Sequence, residues 1–272
     1  MKRFLLAAAG AALLALSACT APAAPSADPT PTAVVTPSPT PSPTATPEPT
    51  PIPLVEPKLK SHTFAQDFAA EDGTIVLSVA YTLPSIENRD ASPALEAIHN
   101  RYDQMGEDLL NNAASTAQDA IADYEISSQA GLSFQPTTEE MSYEVSFLSE
   151  RVLSISRQFY ASTEGAVHPT VLRLSDTFDL QDGRKLTFTD LCTDGIAASQ
   201  RALKAVQNAD QIAQLGLSAA EVETAFQPEQ FYLTEEGFVF WFQPGELGPS
   251  NSPVEVTVPY SALEEDLVQW FR

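Results

Sequence analysis

Proline divides this chain before any other property does: 13 of its 22 prolines fall between Pro22 and Pro57, interleaved with threonine, serine and alanine. Such a segment cannot bury enough apolar surface to offset the entropy of ordering, and dense proline favours an extended, polyproline-like course without a packed core. Residues 19–57 are therefore read as a stalk. At about 3.1 Å per residue it would reach on the order of 100 Å. A globular fold must come from Lys58–Arg272, 215 residues, enough for one large domain or two lobes sharing a core.

The residues ahead of the stalk say where it is attached. Lys2 and Arg3 open an apolar run from Phe4 to Leu16, and Leu16-Ser17-Ala18-Cys19 closes it. A basic start, an apolar core and small residues before a cleavage point describe a secretory leader over 1–18. The run is too short to span a membrane, which takes about 20 apolar residues. The closing tetrapeptide resembles a bacterial lipobox, which implies lipid on the Cys19 thiol and a mature chain beginning there. The expectation is an extracytoplasmic protein held to the cell membrane by lipid.

From Lys58 onward the chain carries 33 acidic and 12 basic side chains, a net charge of -21. Such a surface repels nucleic acid and anionic headgroups and speeds encounter with a cationic partner, although many solvated extracellular surfaces share it. With Cys19 lipidated, Cys192 has no partner for a disulfide, so the core must hold the fold. Between Leu191 and Thr193 it reads as a buried small hydrophobe.

Hydrophobic periodicity predicts mixed helix and strand. Thr63–Phe68 and Thr74–Tyr81 read as a hairpin turning at Asp72-Gly73. Ser92-Pro93 opens a helix whose stripe is Leu95, Ile98, Tyr102, Met105 and Leu109, running to about Tyr124. Strands follow at Met141–Leu148, with Tyr143, Val145 and Phe147 on one face, then Val152–Tyr160 and Val171–Asp179, in a sheet expected to be antiparallel. After a turn at Asp182-Gly183, Lys185–Phe188 reads as extended, and Thr189-Asp190 caps a helix through Val206. Ser218 with Glu221 starts a short helix. Phe231–Leu233 and Phe238–Phe242 flank Glu235-Glu236-Gly237 as a hairpin, before a strand at Val254–Val258 and a helical turn from Ser261. The order predicts an α+β fold, an antiparallel sheet with helices on one face, in two lobes at 58–165 and 166–272.

The run Tyr143–Ser156, then Phe159-Tyr160, Gly165-Ala166-Val167-His168-Pro169, Phe178–Leu191, Phe231–Pro244 and Val256–Tyr260 resembles an extracellular domain family of unknown function. That family occurs outside the membrane in RsiV-type anti-sigma factors that sense lysozyme and in PdaC-type peptidoglycan deacetylases, beside the catalytic domain. The resemblance covers most of Lys58–Arg272. It implies an α+β ectodomain that binds protein or cell-wall ligands, and makes the turn holding Gly165, His168 and Pro169 the candidate binding loop. The family's Gly-Gly-Ala-His turn reads Gly165-Ala166-Val167-His168 here, so a positive φ at the second position is in question. Nothing before Cys19 resembles a sigma-binding domain and no deacetylase domain follows. The expected protein is the ectodomain on its lipid-anchored stalk.

Catalytic chemistry finds little footing. His62, His99 and His168 lack ligand spacing, so no metal or cofactor is expected. Asp176, Asp179, Asp182 and Asp190 do not follow an EF-hand loop. No phosphate loop or nucleophile elbow is present, and the acid pairs Glu139-Glu140 and Glu235-Glu236 fall at expected loops. The aromatics at 238–242 read as core first and sugar platform second. The expected role is a non-catalytic module for a cationic protein such as lysozyme. The alternative is an envelope component that binds peptidoglycan or assists a separate wall enzyme; a hydrolase of unrecognised type is the third option.

Overall fold

The computed structural model describes residues 54–272; the leader, Cys19 and the stalk up to residue 53 lie outside them. The expected hairpin forms from β1 (Leu59–Ala69) and β2 (Ile75–Ile86), in antiparallel register with Phe64 opposite Tyr81. Helix α1 (Pro93–Gln129) starts where Ser92 Oγ accepts the Leu95 N–H at 3.2 Å, and runs five residues past Tyr124. Leu95, Ile98 and Tyr102 of its stripe are fully buried, and they pack with Leu77, Tyr81 and Leu83. Ser92→Ala should cost about 1 kcal/mol. A calorimetric scan should show the melting temperature lower by about 2–4 °C.

Three further strands complete the first sheet: β3 (Thr137–Leu148), β4 (Val152–Thr163) and β5 (Thr170–Asp179), in the order β1-β2-β3-β4-β5. The sheet departs from the fully antiparallel expectation at one place, because β3 runs parallel to β2, from Leu77 opposite Thr137 to Tyr81 opposite Met141. The reason is α1, a crossover that returns the chain to the end of the sheet where β2 began. Glu139 and Glu140 sit within β3 rather than in a loop, and Glu139 accepts the Tyr81 hydroxyl at 2.5 Å. The expected lobe border at 165/166 falls inside the β4–β5 hairpin. Because β5 pairs with β4 along its length, the first sheet continues to Asp179.

A break in β3 register between Val145 and Phe147 also overturns the expectation that Tyr143, Val145 and Phe147 share a face. A bulge adds one residue and reverses the side-chain alternation beyond it. Tyr143 packs on the α1 core, while Phe147 packs on the second core.

That second core belongs to a three-stranded antiparallel sheet, β6 (Phe231–Leu233), β7 (Gly237–Phe242) and β8 (Val254–Pro259). With it pack α2 (Gly195–Gln207), α3 (Asp210–Leu215) and α4 (Ala219–Ala225), through Ala198, Ala202, Ile212 and Val222. Ser218 and Glu221 form the expected capping box. Upstream the local chemistry reads differently from the expectation. Thr187 and Asp190 form their own capping box on a single turn, Phe188–Leu191, and Asp194 caps α2. Only an isolated bridge, Phe178 to Lys185, remains of the strand expected there. At the centre, the Phe188 ring meets Phe231, Phe238 and Phe240 edge-on, with centroids at 5.9, 5.3 and 5.5 Å. The aromatics at 238–242 are thus core.

The two sheets join through hydroxyls. Leu153 and Ile155 of β4 face the α1 core, whereas Ser154 and Ser156 are buried without belonging to it. Ser154 Oγ lies 3.0 Å from Thr177 Oγ1 and accepts the Leu233 N–H at 3.0 Å. Ser175 Oγ donates to the Phe231 carbonyl at 2.5 Å and accepts Trp241 Nε1–H at 3.3 Å.

Candidate binding site

The turn between β4 and β5 carries the sequence-predicted binding residues. Gly165 has φ +77°, a left-handed conformation at the first position of the turn. Hydrogen bonds from Glu164 N to Pro136 O (3.0 Å) and Ala166 N to Thr163 O (2.9 Å) fix its base. Beyond them the chain projects: Val167 is 83% exposed and His168 is exposed, while Pro169 is partly buried. His168 Nδ1 accepts from Asn251 Nδ2 at 3.0 Å, which ties the turn to the loop between β7 and β8. The same loop grips β5 next door. Gln243 accepts the Arg173 N–H (3.0 Å) and donates to the Arg173 carbonyl (2.8 Å), replacing a strand partner, and Arg173 Nε meets Glu255 at 2.5 Å. Nothing in the sequence marks Asn251 and Gln243, since polar residues in a loop carry no sign of what they will reach.

Internal pairing leaves the charge imbalance unrelieved. Of the 12 basic residues after Pro57, seven hold acidic partners: Arg89, Arg151, Arg157, Arg173, Arg184, Lys185 and Arg201. Few cations therefore remain to offset the surplus of carboxylates, and the outward field is negative.

The aspartates that invited a calcium reading are each engaged by a cation. Asp176 meets Arg157 and Lys185, both at 2.8 Å, Asp179 meets Arg151 at 2.8 Å, and Arg184 serves Asp182 and Asp190 at 3.5 and 2.8 Å. Among the described residues, no group of three or more His, Cys, Asp or Glu side chains is arranged to hold a metal ion.

The fold brings His62 and His99, distant in sequence, to Asp103, at 3.6 and 3.1 Å. Ser85 Oγ lies 3.4 Å from His99 Nδ1, so serine, histidine and aspartate fall in line as in a hydrolase triad. The geometry is structural: Nδ1 accepts the Ile86 N–H at 3.2 Å, which occupies the lone pair a serine proton would need. Ser85 and His99 are buried, and the group pins α1 to the end of β2. Cys192 is buried as expected and donates to the Phe188 carbonyl at 3.3 Å. Burial, with the charges of Asp266 and Glu229, pushes its thiol up to about 12, so it carries no nucleophilic thiolate near neutral pH. No described helix is long and apolar enough to cross a membrane.

Residues 189–261 match a family model described as a protein of unknown function, DUF3298. That stretch runs from the turn before α2 into the turn after β8 and leaves out the His168 turn. No curated protein matches the sequence. Among solved structures, a DUF3298 family member from Bacteroides fragilis NCTC 9343 is similar over 78% of this chain and 94% of its own, at 14% identity and TM-score 0.56. A DUF3298 family protein from Pseudomonas aeruginosa PAO1 is similar over 79% and 96%, at 18% identity and TM-score 0.52. At such identities the likeness is one of fold.

Proposed function

We propose that this chain is an extracytoplasmic binding module, held to the membrane by lipid on Cys19, that captures a cationic protein of the lysozyme class. The observation that carries this reading is the carboxylate surplus, which internal ion pairs do not neutralise. A negative field of this size steers a basic partner and adds little for a neutral one. The resemblance to lysozyme-sensing ectodomains names the partner class, and the projecting Val167-His168 turn is the contact that a rigid scaffold offers.

Titrating the full chain with hen egg-white lysozyme in a calorimeter should give saturable one-to-one binding. Between low and physiological salt the association rate should fall about tenfold or more. Val167→Ser should weaken capture and leave the melting temperature unchanged, because that side chain is 83% exposed, whereas His168→Ala should also loosen the turn by removing the bond from Asn251. An absent or salt-independent signal would sink the proposal.

A further inference from the structure

A cleft lies at the opposite end of β4 from the His168 turn, where the end of β3, the turn after β8 and the last residues of the chain border about 270 Å³. Phe147, Tyr260 and Phe271 line it, together with the hydroxyl-, carboxylate- and guanidinium-bearing Ser261, Glu264 and Arg272. The aromatic side chains are held before any ligand arrives. Tyr260 and Phe271 pack edge to face at 5.5 Å, and both rest on Phe238, at 5.4 and 6.0 Å. The Tyr260 hydroxyl donates to the Thr234 carbonyl at 2.7 Å. Arg272 is likewise fixed, Nε donating to the Leu267 carbonyl and Nη2 to the Glu265 carbonyl, each at 2.8 Å. Phe147 reaches the cleft because of the β3 bulge, which takes it off the face of Tyr143.

We infer that this cleft is a subsite for a neutral saccharide, holding one or two pyranose rings of a glycan. The volume lies just below the roughly 300 Å³ at which drug-sized pockets begin, so the occupant is small or is one unit of a longer chain. A pyranose offers apolar C–H faces to aromatic rings and a girdle of hydroxyls that both donate and accept. Glu264 accepts, Arg272 donates and Ser261 does both, and the opposite charges of the first two favour a neutral ligand over an ionic one. The site is independent of cationic-protein capture, since it uses none of the same residues.

The test is titration of the full chain with chitotriose and with cellotriose, followed by tryptophan fluorescence. Trp270, whose ring centroid lies 6.1 Å from that of Phe271, reports on the cleft. A saturable change with either sugar is expected. Glu264→Gln and Ser261→Ala, both at exposed positions, should keep the melting temperature and lysozyme capture while weakening the sugar roughly five- to tenfold each. Phe147→Ala should abolish the signal. No saturation with either sugar would overturn the inference, as would affinity unchanged in all three variants. Saturation of the same signal by a proline-rich peptide alone would assign the aromatic walls to a different ligand and also overturn it.

Discussion

Gly237→Ala should lower the melting temperature by about 6–12 °C. A Cβ at this position would stand 2.2 Å from the Val258 carbonyl oxygen and 2.8 Å from Pro259 Cα. Both are backbone atoms of β8, so no rotamer change can relieve the contact. Gly237 pairs with Pro259 at the end of the β7–β8 ladder, and its carbonyl accepts the Thr234 N–H at 2.9 Å in the adjoining turn. To admit a methyl group, β8 must move off β7, and Val256 and Val258 would leave the second core with it. Overpacking costs typically 1–3 kcal/mol, and rigid neighbours place this case near 3 kcal/mol. For a domain of this size each kcal/mol is worth about 2–4 °C. Differential scanning calorimetry decides it: a midpoint within a degree of the parent would show that β8 is more compliant than the contact distances allow.

The second large effect lies beneath α1. Asp176, only 2% exposed, takes charge-assisted hydrogen bonds from Arg157 and Lys185 and a longer one from the Tyr102 hydroxyl at 3.3 Å. Removing the carboxylate strands Arg157, which is 7% exposed and is otherwise met by Met105 and Met141 sulfurs at 3.1 and 3.6 Å. Lys185 can turn to water; Arg157 cannot. Asp176→Ala should therefore cost about 3–5 kcal/mol in chemical denaturation, the range for leaving one buried charge uncompensated. Arg157→Met should cost less, because Lys185 still serves Asp176. If the two single variants were equally damaging, the stranded guanidinium would not be the cause.

The same carboxylate gives stability a pH dependence of defined sign. Burial alone would raise the Asp176 pKa, but Arg157, Lys185 and the hydrogen bonds outweigh it and hold the group below the ordinary carboxylate value. The unfolded chain then takes up the proton first as pH falls. The contribution of Asp176 is complete above about pH 5 and is lost as pH drops through the unfolded value near 4 and on through the lower folded value. Between about pH 5 and 3, stability should fall less steeply in Asp176→Ala than in the parent.

The candidate turn was partly legible: a glycine before a short exposed segment marks its position, but the grip of Asn251 on His168 spans 83 residues. The aromatic cleft was less legible still. Its walls come from residues 147 and 260–272, and Phe147 belongs to it because of a bulge that strand alternation cannot announce.

What the sequence by itself determined is local. Ser92-Pro93, the Ser218 and Glu221 pair and the Asp72-Gly73 turn specify helix starts and a hairpin because their hydrogen bonds close within a few residues. Apolar period alone placed Leu95, Ile98 and Tyr102 on one buried stripe. Tertiary structure decided the rest: the parallel pairing of β3 with β2, the covering of Ser154 and Ser156, and the meeting of Arg157, Asp176 and Lys185. The physical reason is that a polar side chain reads alike in sequence whether water or another sheet satisfies it. Only packing supplies the partner that sets its energy.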